Sequence, residues 1–481
     1  MYFAGLLCCG PAVFALYYKA VKRKYEGDDG VKKTSMDLTQ GNIVKNIVLF
    51  ALPIFVGQVF QNLYNSVDAI VVGKFVGTTA LASVSSCTDI SFLLTGFFTG
   101  LSTGSGVLFA RHFGAKDYEK LHDTIHTAVL FSVILGLVMA TLGILLTPVL
   151  LSAVGCPEDV YPLSSQYLRV YLIGVLFTAM YNVGSGILRA VGDSRSPFIY
   201  LVIASIVNIV LNLIFVIVFK MGVLGVAVAT IVSQGMSVAL VLRQLMKTQD
   251  VYKLTIRDLK INKQILLQVM DLGLPAALQS CMLSISNLFV QRYVNAFGSL
   301  AMAGVGAAKK IDKFVGLIGQ SLGQASATFV SQNLGAKRGG RAFKGIRMCL
   351  LMAFISVAVM GIPVYYNAGF FVSLFTDDVA AAGFGVAMVQ VMMPCFFVQS
   401  VNQVMSNAVR GFGKSRMVML CSLSGMIGVR QLYLAIGTKL SADVRVIYAG
   451  YPIGWFFSAL FVCIYYFAVI HPMKKTLAAQ A

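Results

Sequence analysis

Long apolar segments recur along almost the whole chain and are separated by short polar connections. Each segment has about 20 or more residues, the length that an α-helix needs to cross the hydrocarbon core of a bilayer. Long stretches of alternating polar and apolar residues, typical of a membrane β-barrel, are not part of the pattern. From Ile47 onward the pattern predicts twelve helices, at about 47–72, 81–110, 124–148, 160–188, 197–219, 223–244, 265–297, 300–330, 346–374, 382–409, 417–438 and 446–470.

Residues 247–264 form the longest hydrophilic interruption of this pattern and divide the predicted helices six and six. We expect a cytoplasmic linker here, between an amino-terminal lobe at 36–246 and a carboxy-terminal lobe at 265–472. Residues 473–481 would then be a cytoplasmic tail.

The two predicted lobes resemble each other in sequence. At an offset of 221 residues, GILRAVGDSRSP at 186–197 aligns with NAVRGFGKSRMV at 407–418, and FGAK at 113–116 aligns with LGAK at 334–337. Six crossings return the chain to its starting side, so the two copies share one orientation and are related by an axis along the membrane normal. The predicted fold class is therefore an all-α polytopic membrane protein, with twelve transmembrane helices in two six-helix lobes and a cavity between them.

Composition and charge agree with this class. Hydrophobic residues make up 58% of the 481 residues and charged residues only 12%, which is more apolar surface than a soluble domain could bury. The net charge of +19 could suggest nucleic acid as a partner, but the basic residues lie in short clusters between the predicted helices. By the positive-inside rule, these clusters place both termini in the cytoplasm of a multi-pass plasma-membrane protein, whose partner is the lipid bilayer and not nucleic acid.

Residues 1–35 stand apart from the repeat. The apolar segment 1–18 is followed, not preceded, by four basic residues within 19–24, which argues against a cleaved signal peptide. This N-terminal extension is either a short additional anchor or lies upstream of the functional start. We favour Met36 as the functional start.

The first predicted helix carries a polar stripe. Gln58, Gln61, Asn65 and Asp68 follow one another at spacings that place all four on one helix face. An acidic side chain within a membrane span costs roughly 2.5–3.5 kcal/mol on insertion scales, so it normally faces a cavity or a partner and marks an ion or proton pathway. The alternative is an interfacial aspartate near the outer end of the helix.

Several segments together resemble one family of transporters. They are DLTQGNIVKNIVLFALPIFVGQVFQNLYNSVDAIVVGKFVG at the start, FGAK after the second predicted helix, LRAVGDSRSP after the fourth, NIVLN in the fifth and GVLGVAVAT in the sixth. In order and spacing, over residues 36–470, the chain resembles the multidrug and toxic compound extrusion (MATE) family. The resemblance implies an antiporter that exports small organic molecules by alternating access between two lobes, uses an inward gradient of protons or sodium ions, needs no other cofactor and functions as a monomer.

The resemblance also implies a coupling site in the amino-terminal lobe. The residues that match the family's positions are Asp68, Tyr64, Asn208, Asn212, Thr230 and Asn182. Asn212 stands where some members have Asp, so one fewer charge offsets a metal cation, which favours protons over sodium ions. For Asn208 and Asn212 the alternative is interhelical hydrogen bonding, worth roughly 0.6–2 kcal/mol in membranes.

The carboxy-terminal lobe differs in charge. Its predicted helices at 265–297 and 382–409 contain no carboxylate in the segments where some sodium-coupled members carry acids, so coupling through this lobe is not expected. Instead, the helix at 300–330 carries a cluster of lysines together with Asp312. Asp312 can neutralise only one of these lysines, and each remaining buried charge needs water, a partner or cargo. We expect a substrate cleft that favours anionic, zwitterionic or neutral compounds over cations, lined by Asp89, Lys309, Lys310, Lys313 and Arg430. The alternative is a salt bridge that holds the lobes together.

The remaining motifs exclude other chemistry. His122 and His126 could share a helix face, but no third ligand is apparent, and we predict no metal site. No Walker A sequence is present, which removes the usual ATP-driven export domain, and we predict that the protein is not an enzyme. A flippase for a lipid-linked or polyanionic substrate and a non-transporting membrane scaffold remain as alternatives to export.

Overall fold

The computed structural model describes residues 36–441 and 443–474, without the side chains of 63–67, 69, 70, 78 and 89. Within these ranges the chain forms helices joined by short turns, and no strand. The predicted N-terminal extension at 1–35 and most of the predicted tail lie outside the described residues.

The amino-terminal lobe contains six spans. Two of them are interrupted: the fourth breaks at Gly174, and the fifth ends in a π-helical turn at Ile214–Val218. The helices are α1 (Ile43–Phe75), α2 (Thr78–Ala115), α3 (Tyr118–Leu145), the short α4 (Thr147–Ala153), α5 (Tyr161–Ile173), α6 (Val175–Ala190), α7 (Arg195–Leu213) and α8 (Gly222–Lys247).

The carboxy-terminal lobe repeats this arrangement after a linker that contains a 3₁₀ turn at Ile256–Asp258. Its broken span has a 3₁₀ turn at Met393–Cys395, and Pro394, which cannot donate a backbone hydrogen bond, lies in that turn. The helices are α9 (Lys263–Asn295), α10 (Ser299–Gly335), α11 (Gly339–Tyr366), the short α12 (Ala368–Ser373), α13 (Val379–Met392), α14 (Phe396–Gly411), α15 (Ser415–Leu423), α16 (Arg430–Leu440) and α17 (Val444–Tyr465); π-helical turns at Ser424–Val429 and Tyr466–Ile470 follow α15 and α17.

Eleven spans in the described chain are long and apolar enough to cross a membrane. The twelfth predicted span is α10, which is 37 residues long but carries the charged cluster at 309–313. The predicted fold class, an all-α membrane protein of two six-helix lobes, is confirmed.

The lobes meet near the side of the molecule that carries the linker, which we call the linker side; the opposite side is the far side. Gly114 of α2 and Gly335 of α10 occupy equivalent positions in the repeat and cross at the interface. A Cβ atom on Gly114 would lie 2.0 Å from the carbonyl oxygen of Gln332, and one on Gly335 would lie 2.1 Å from that of Arg111. Only glycine allows the two backbones to approach this closely.

Hydrogen bonds reinforce this closure. Gln332 of α10 accepts from the backbone N–H of Leu38 at 3.0 Å and donates to the carbonyl of Ala190 at 2.7 Å, so it ties together both lobes. Arg338 donates to the carbonyl of Thr39 at 2.6 Å. In the described part of the chain, the direct hydrogen bonds that we find between the lobes lie from the linker side to the middle of the helices, and the lobes are closed on the linker side.

Candidate functional site

Asp68 of α1 lies at the start of a hydrogen-bond network inside the amino-terminal lobe. The side-chain amide of Asn212 on α7 donates to Asp68 Oδ1 at 2.5 Å and to Asn208 Oδ1 at 3.1 Å. Asn208 in turn donates to Ser233 Oγ of α8 at 3.4 Å. Asn208 and Asn212 are buried, whereas Asp68 is partly exposed. The network therefore links α1, which carries the carboxylate, to α7 and α8.

The helices place these groups by simple periodicity. Asn208 and Asn212 are four residues apart and share one face of α7, which packs against both α1 and α8. Ser233 follows Thr230 by one turn of α8, and its hydroxyl donates back to the Thr230 carbonyl at 2.9 Å. Ser233 was not predicted as a site residue, although its spacing of one helical turn from Thr230 was a usable signal.

One oxygen of the network stays without a partner. Asn212 is completely buried, and its Oδ1 accepts no hydrogen bond among the described residues. Both hydrogen bonds made by its amide nitrogen go to other oxygens of the network, so Asn212 must present Oδ1 away from them. A buried acceptor beside a carboxylate is an arrangement that suits a cation or a protonated group.

The other predicted coupling residues lie differently. The Thr230 hydroxyl donates to the Val226 carbonyl of its own helix at 2.9 Å, so only its backbone carbonyl joins the network. Asn182 belongs to a separate cluster between α6 and α2, where it accepts from the Thr99 hydroxyl at 3.2 Å. The side chain of Tyr64 is outside the described part of the structure. The structure thus groups Asp68, Asn208 and Asn212, and does not bring Asn182 to them.

Of the three predicted cleft lysines, Lys313 contacts the other lobe. Its ammonium lies over the ring of Phe92 on α2, 5.0 Å from the ring centroid. Lys313 and Phe92 are equivalent positions of the repeat, so they face each other near the axis that relates the lobes. Both side chains are exposed, and their contact places Lys313 at the lobe interface.

Lys309 and Lys310 remain within the carboxy-terminal lobe. Lys310 lies over the ring of Phe375 at 5.2 Å, and Lys309 donates to Gln291 of α9 at 2.5 Å. The side chain of Asp89 is outside the described part of the structure, so the predicted basic and acidic walls of the cleft stay a prediction.

Arg430, another predicted cleft residue, is a fully buried core residue of the carboxy-terminal lobe. Its guanidinium donates to Ser286 at 2.5 Å and to Asn287 at 3.1 Å, both on α9. It also lies against the ring of Tyr451, 5.4 Å from the centroid. These contacts hold Arg430 between α9, α16 and α17 and leave it no exposed surface toward the cleft.

The histidine pair attaches the linker to the amino-terminal lobe. Nδ1 of His126 lies 2.8 Å from the His122 carbonyl, and Nε2 accepts from the backbone N–H of Thr255 at 3.0 Å. Asp258 comes within 3.6 Å of His122 and completes a group of three side chains whose spacing could suit a metal. Because hydrogen bonds already occupy both ring nitrogens of His126, this group serves to hold the linker.

Comparisons with known proteins match this architecture. A family model described as MatE matches residues 53–214 and 275–434, one segment in each lobe. The chain is 28% identical over 435 residues to the probable multidrug resistance protein YoeA of Bacillus subtilis, covering 88% of this chain and 94% of the relative. It is 22% identical over 393 residues to the multidrug export protein MepA of Staphylococcus aureus, covering 82% and 87%.

A solved structure gives the same result for the fold. The chain superposes with a TM-score of 0.85 on a multidrug resistance MATE family transporter of the MOP superfamily, solved in an outward-facing conformation. The two are 23% identical, and the match covers 91% of this chain and 98% of the other.

Proposed function

Because the chain belongs to the MATE family of multidrug efflux transporters, we propose that it is an antiporter that exports small organic molecules in exchange for a cation bound at Asp68. The observation that carries this proposal is the network of Asp68, Asn212 and Asn208, with the unpartnered Asn212 Oδ1 beside the carboxylate. YoeA is named a probable multidrug resistance protein and MepA a multidrug export protein, which favours export over a flippase or a scaffold.

The position of Asp68 suits exchange with the far side. It lies in the last third of α1, away from the closed linker side, and its side chain is partly exposed. A cation arriving from the far side, the predicted cell exterior, would reach the carboxylate through the open part of the interface. Cation binding neutralises the carboxylate, which lowers the cost of burying it when the far side closes and the linker side opens.

We favour the proton as the coupling ion. A proton needs only one carboxylate, whereas a sodium ion prefers several oxygen ligands. Asn208 Oδ1 is already engaged by Asn212, and the Thr230 hydroxyl is turned to its own helix. Among the described side chains of this network, Asp68 and Asn212 Oδ1 still offer oxygens to a metal ion, which is fewer ligands than sodium prefers.

The test is transport by the purified protein in liposomes, with a zwitterionic fluoroquinolone as the probe and an imposed proton or sodium gradient. Asp68→Asn removes the charge and should abolish gradient-driven transport while leaving the unfolding temperature close to that of the wild type. Glu158→Gln, an exposed change in the same lobe, should transport normally. Wild-type flux in Asp68→Asn would overturn the proposal, and transport driven by sodium but indifferent to a pH gradient would reverse the choice of ion.

A further inference from the structure

Asp312 of α10 is a buried carboxylate that the site described above does not use. Its side chain is 9% exposed, and neither carboxylate oxygen has a hydrogen-bond partner among the described residues. Its neighbours Ile311 and Val315 belong to the hydrophobic core of the carboxy-terminal lobe. An ionised carboxylate in such surroundings is very costly, so the group must take up a proton or a counter-ion.

Few charged groups approach this carboxylate. Lys309, one turn earlier on α10, is within electrostatic range, but it donates its hydrogen bond to Gln291. Tyr451 of α17 is also within range, its hydroxyl has no hydrogen-bond partner among the described residues, and Arg430 lies against its ring. The helices of this lobe that pack against α10 carry further ionisable side chains: Lys263, Asp271, Cys281, Arg292 and Tyr293 of α9, Arg341, Lys344, Arg347, Cys349, Tyr365 and Tyr366 of α11, and Arg410 of α14, with none in α12 and α13. The helices of the other lobe that pack against α10 carry Lys45, Tyr64, Asp68 and Lys74 of α1, Cys87, Asp89, Arg111 and His112 of α2, and Tyr181 and Arg189 of α6.

These surroundings suit a proton better than a metal ion. A sodium ion needs several oxygen ligands, and the core residues Ile311 and Val315 beside Asp312 supply no side-chain oxygen. The ammonium of Lys309 also repels a second cation. A proton needs one carboxylate oxygen only, and the neutral acid it forms is much cheaper to bury than the carboxylate.

The repeat shows that the fold itself does not require a carboxylate here. The equivalent position in the amino-terminal lobe is Ser91 of α2, whose hydroxyl donates to the Cys87 carbonyl of its own helix at 3.0 Å. Ser91 lies beside the hydroxyl of Tyr171, and the residue equivalent to Tyr171 in the carboxy-terminal lobe is Met392, which offers no hydroxyl. A small hydroxyl therefore satisfies the same helix packing without buried charge.

We propose that Asp312 is a second proton-binding group of the transport cycle, located in the carboxy-terminal lobe and separate from Asp68. This inference rests on the proposed function. In the state described here, which is closed on the linker side, Asp312 holds a proton. It releases this proton when the lobe rearranges and the carboxylate meets water or the Lys309 ammonium.

Infrared difference spectroscopy of the purified protein tests the bound proton directly. A protonated carboxyl group in an apolar site gives a C=O stretching band that shifts in heavy water. We expect the wild type to show this band, Asp312→Asn to lose it, and the exposed control Asp377→Asn in the same lobe to keep it. Recording the spectra in the Asp68→Asn background removes any contribution from the amino-terminal site.

Transport stoichiometry gives the second measurement. In liposomes that contain a pH-sensitive dye, Asp312→Asn should export the fluoroquinolone with about one proton fewer per molecule than the wild type. Asp312→Ser, which introduces the residue of the equivalent position, serves where the asparagine variant folds poorly. An unchanged band and an unchanged proton ratio in these variants would overturn the assignment and show that Lys309 keeps Asp312 ionised. Full transport by Asp68→Asn would refute the proposed coupling site instead, whatever the Asp312 band shows.

Discussion

The two lobes repeat one fold but have opposite charge at their centres. In the amino-terminal lobe, buried asparagines point an amide donor at the carboxylate of Asp68. In the carboxy-terminal lobe, Arg430 lies one residue beyond the position equivalent to Asn208, and Tyr451 is equivalent to Thr230. A π-helical turn at Ser424–Val429 precedes Arg430, and such a turn holds one more residue than an α-helical turn.

The two lobes therefore differ in the kind of cation they hold. The proposed coupling ion at Asp68 is exchangeable, whereas the Arg430 guanidinium is part of the chain. The amino-terminal network contains an anion and an oxygen without a partner among the described residues, which is where the proposed coupling cation would bind and leave. In the other lobe a guanidinium is attached to the chain and already bound by Ser286 and Asn287. On the proposed function, the same helical arrangement serves ion exchange in one lobe and stability in the other.

The largest expected effect follows from removing the permanent cation. Arg430→Ala leaves a cavity and removes the donors of Ser286 and Asn287, so we expect a loss of about 2–4 kcal/mol in the free energy of unfolding. Arg430→Met, which fills the space without charge, should recover much of this loss, because a buried charge contributes little net stability over an apolar side chain of similar volume.

Thermal unfolding in detergent measures both variants, with the exposed Arg445→Ala of the same lobe as the control. If Arg430→Ala unfolds at the wild-type temperature, Arg430 is not the structural centre of its lobe, and the contrast between the lobes fails.

The next effect concerns the exchangeable site. Asn212→Leu removes the donor to Asp68, and hydrogen bonds to charged groups contribute about 1.5–3 kcal/mol, so the apparent affinity for the coupling ion should change by roughly 10- to 100-fold. Asn212→Asp adds a second carboxylate and should shift the coupling toward sodium. Ion dependence of transport in liposomes measures both, and an unchanged ion dependence in the two variants would place the ion elsewhere.

A smaller effect is expected at the interface. Lys313→Ala removes a positive charge that faces Phe92 of the other lobe, and at a contact distance in water this charge is worth about 1 kcal/mol, or roughly a fivefold change in preference for cationic over anionic dyes. Lys310→Ala is the matched control, because Lys310 lies over Phe375 within its own lobe. If the dye preference changes equally in the two variants, neither lysine contacts the cargo directly.

The smallest effect compares two equivalent turns. Asp193 accepts hydrogen bonds from the backbone N–H groups of Arg195 and Ser196 at the start of α7, whereas the equivalent Lys414 is exposed. Asp193→Ala should cost about 1 kcal/mol of unfolding free energy, as for other residues that cap a helix. Lys414→Ala should cost nothing measurable, and equal unfolding temperatures for the two variants would contradict this difference.

Much of the fold could be predicted because its signals are local. Segment length and hydropathy identify a membrane helix, and the repeat of Arg189 and Arg195 in Arg410 and Arg416 identifies the lobes. Even α10 was identified despite its charges. The helix breaks at Gly174 and at 393–395 were not predicted, although Pro394, which cannot donate a backbone hydrogen bond, was a usable local signal for the second break.

The candidate site was partly predictable for the same reason. The spacing of polar residues on α1 selected Asp68, and the resemblance selected Asn208 and Asn212, which the structure brings together. Gln332 was missed, because a lone glutamine at the end of a helix gives no sign that it contacts two segments of the other lobe. Lys310 was selected by depth alone, and depth cannot show which face of the helix points to the interface.

The linker contacts restrict how the lobes can move. The backbone N–H of Asn262 donates to Thr127 of the amino-terminal lobe at 3.2 Å, while its side chain accepts from Gln264 and Ile265 and caps α9, the first helix of the other lobe. One residue therefore contacts both lobes, and at this point the linker adds no slack between them. Unless these bonds break, the linker side can open only by rotation about this corner, and the gap must widen with distance from Asn262. On the proposed alternating-access function, with the linker side in the cytoplasm as the charge pattern predicts, cargo would then enter along the edge of the interface opposite the linker.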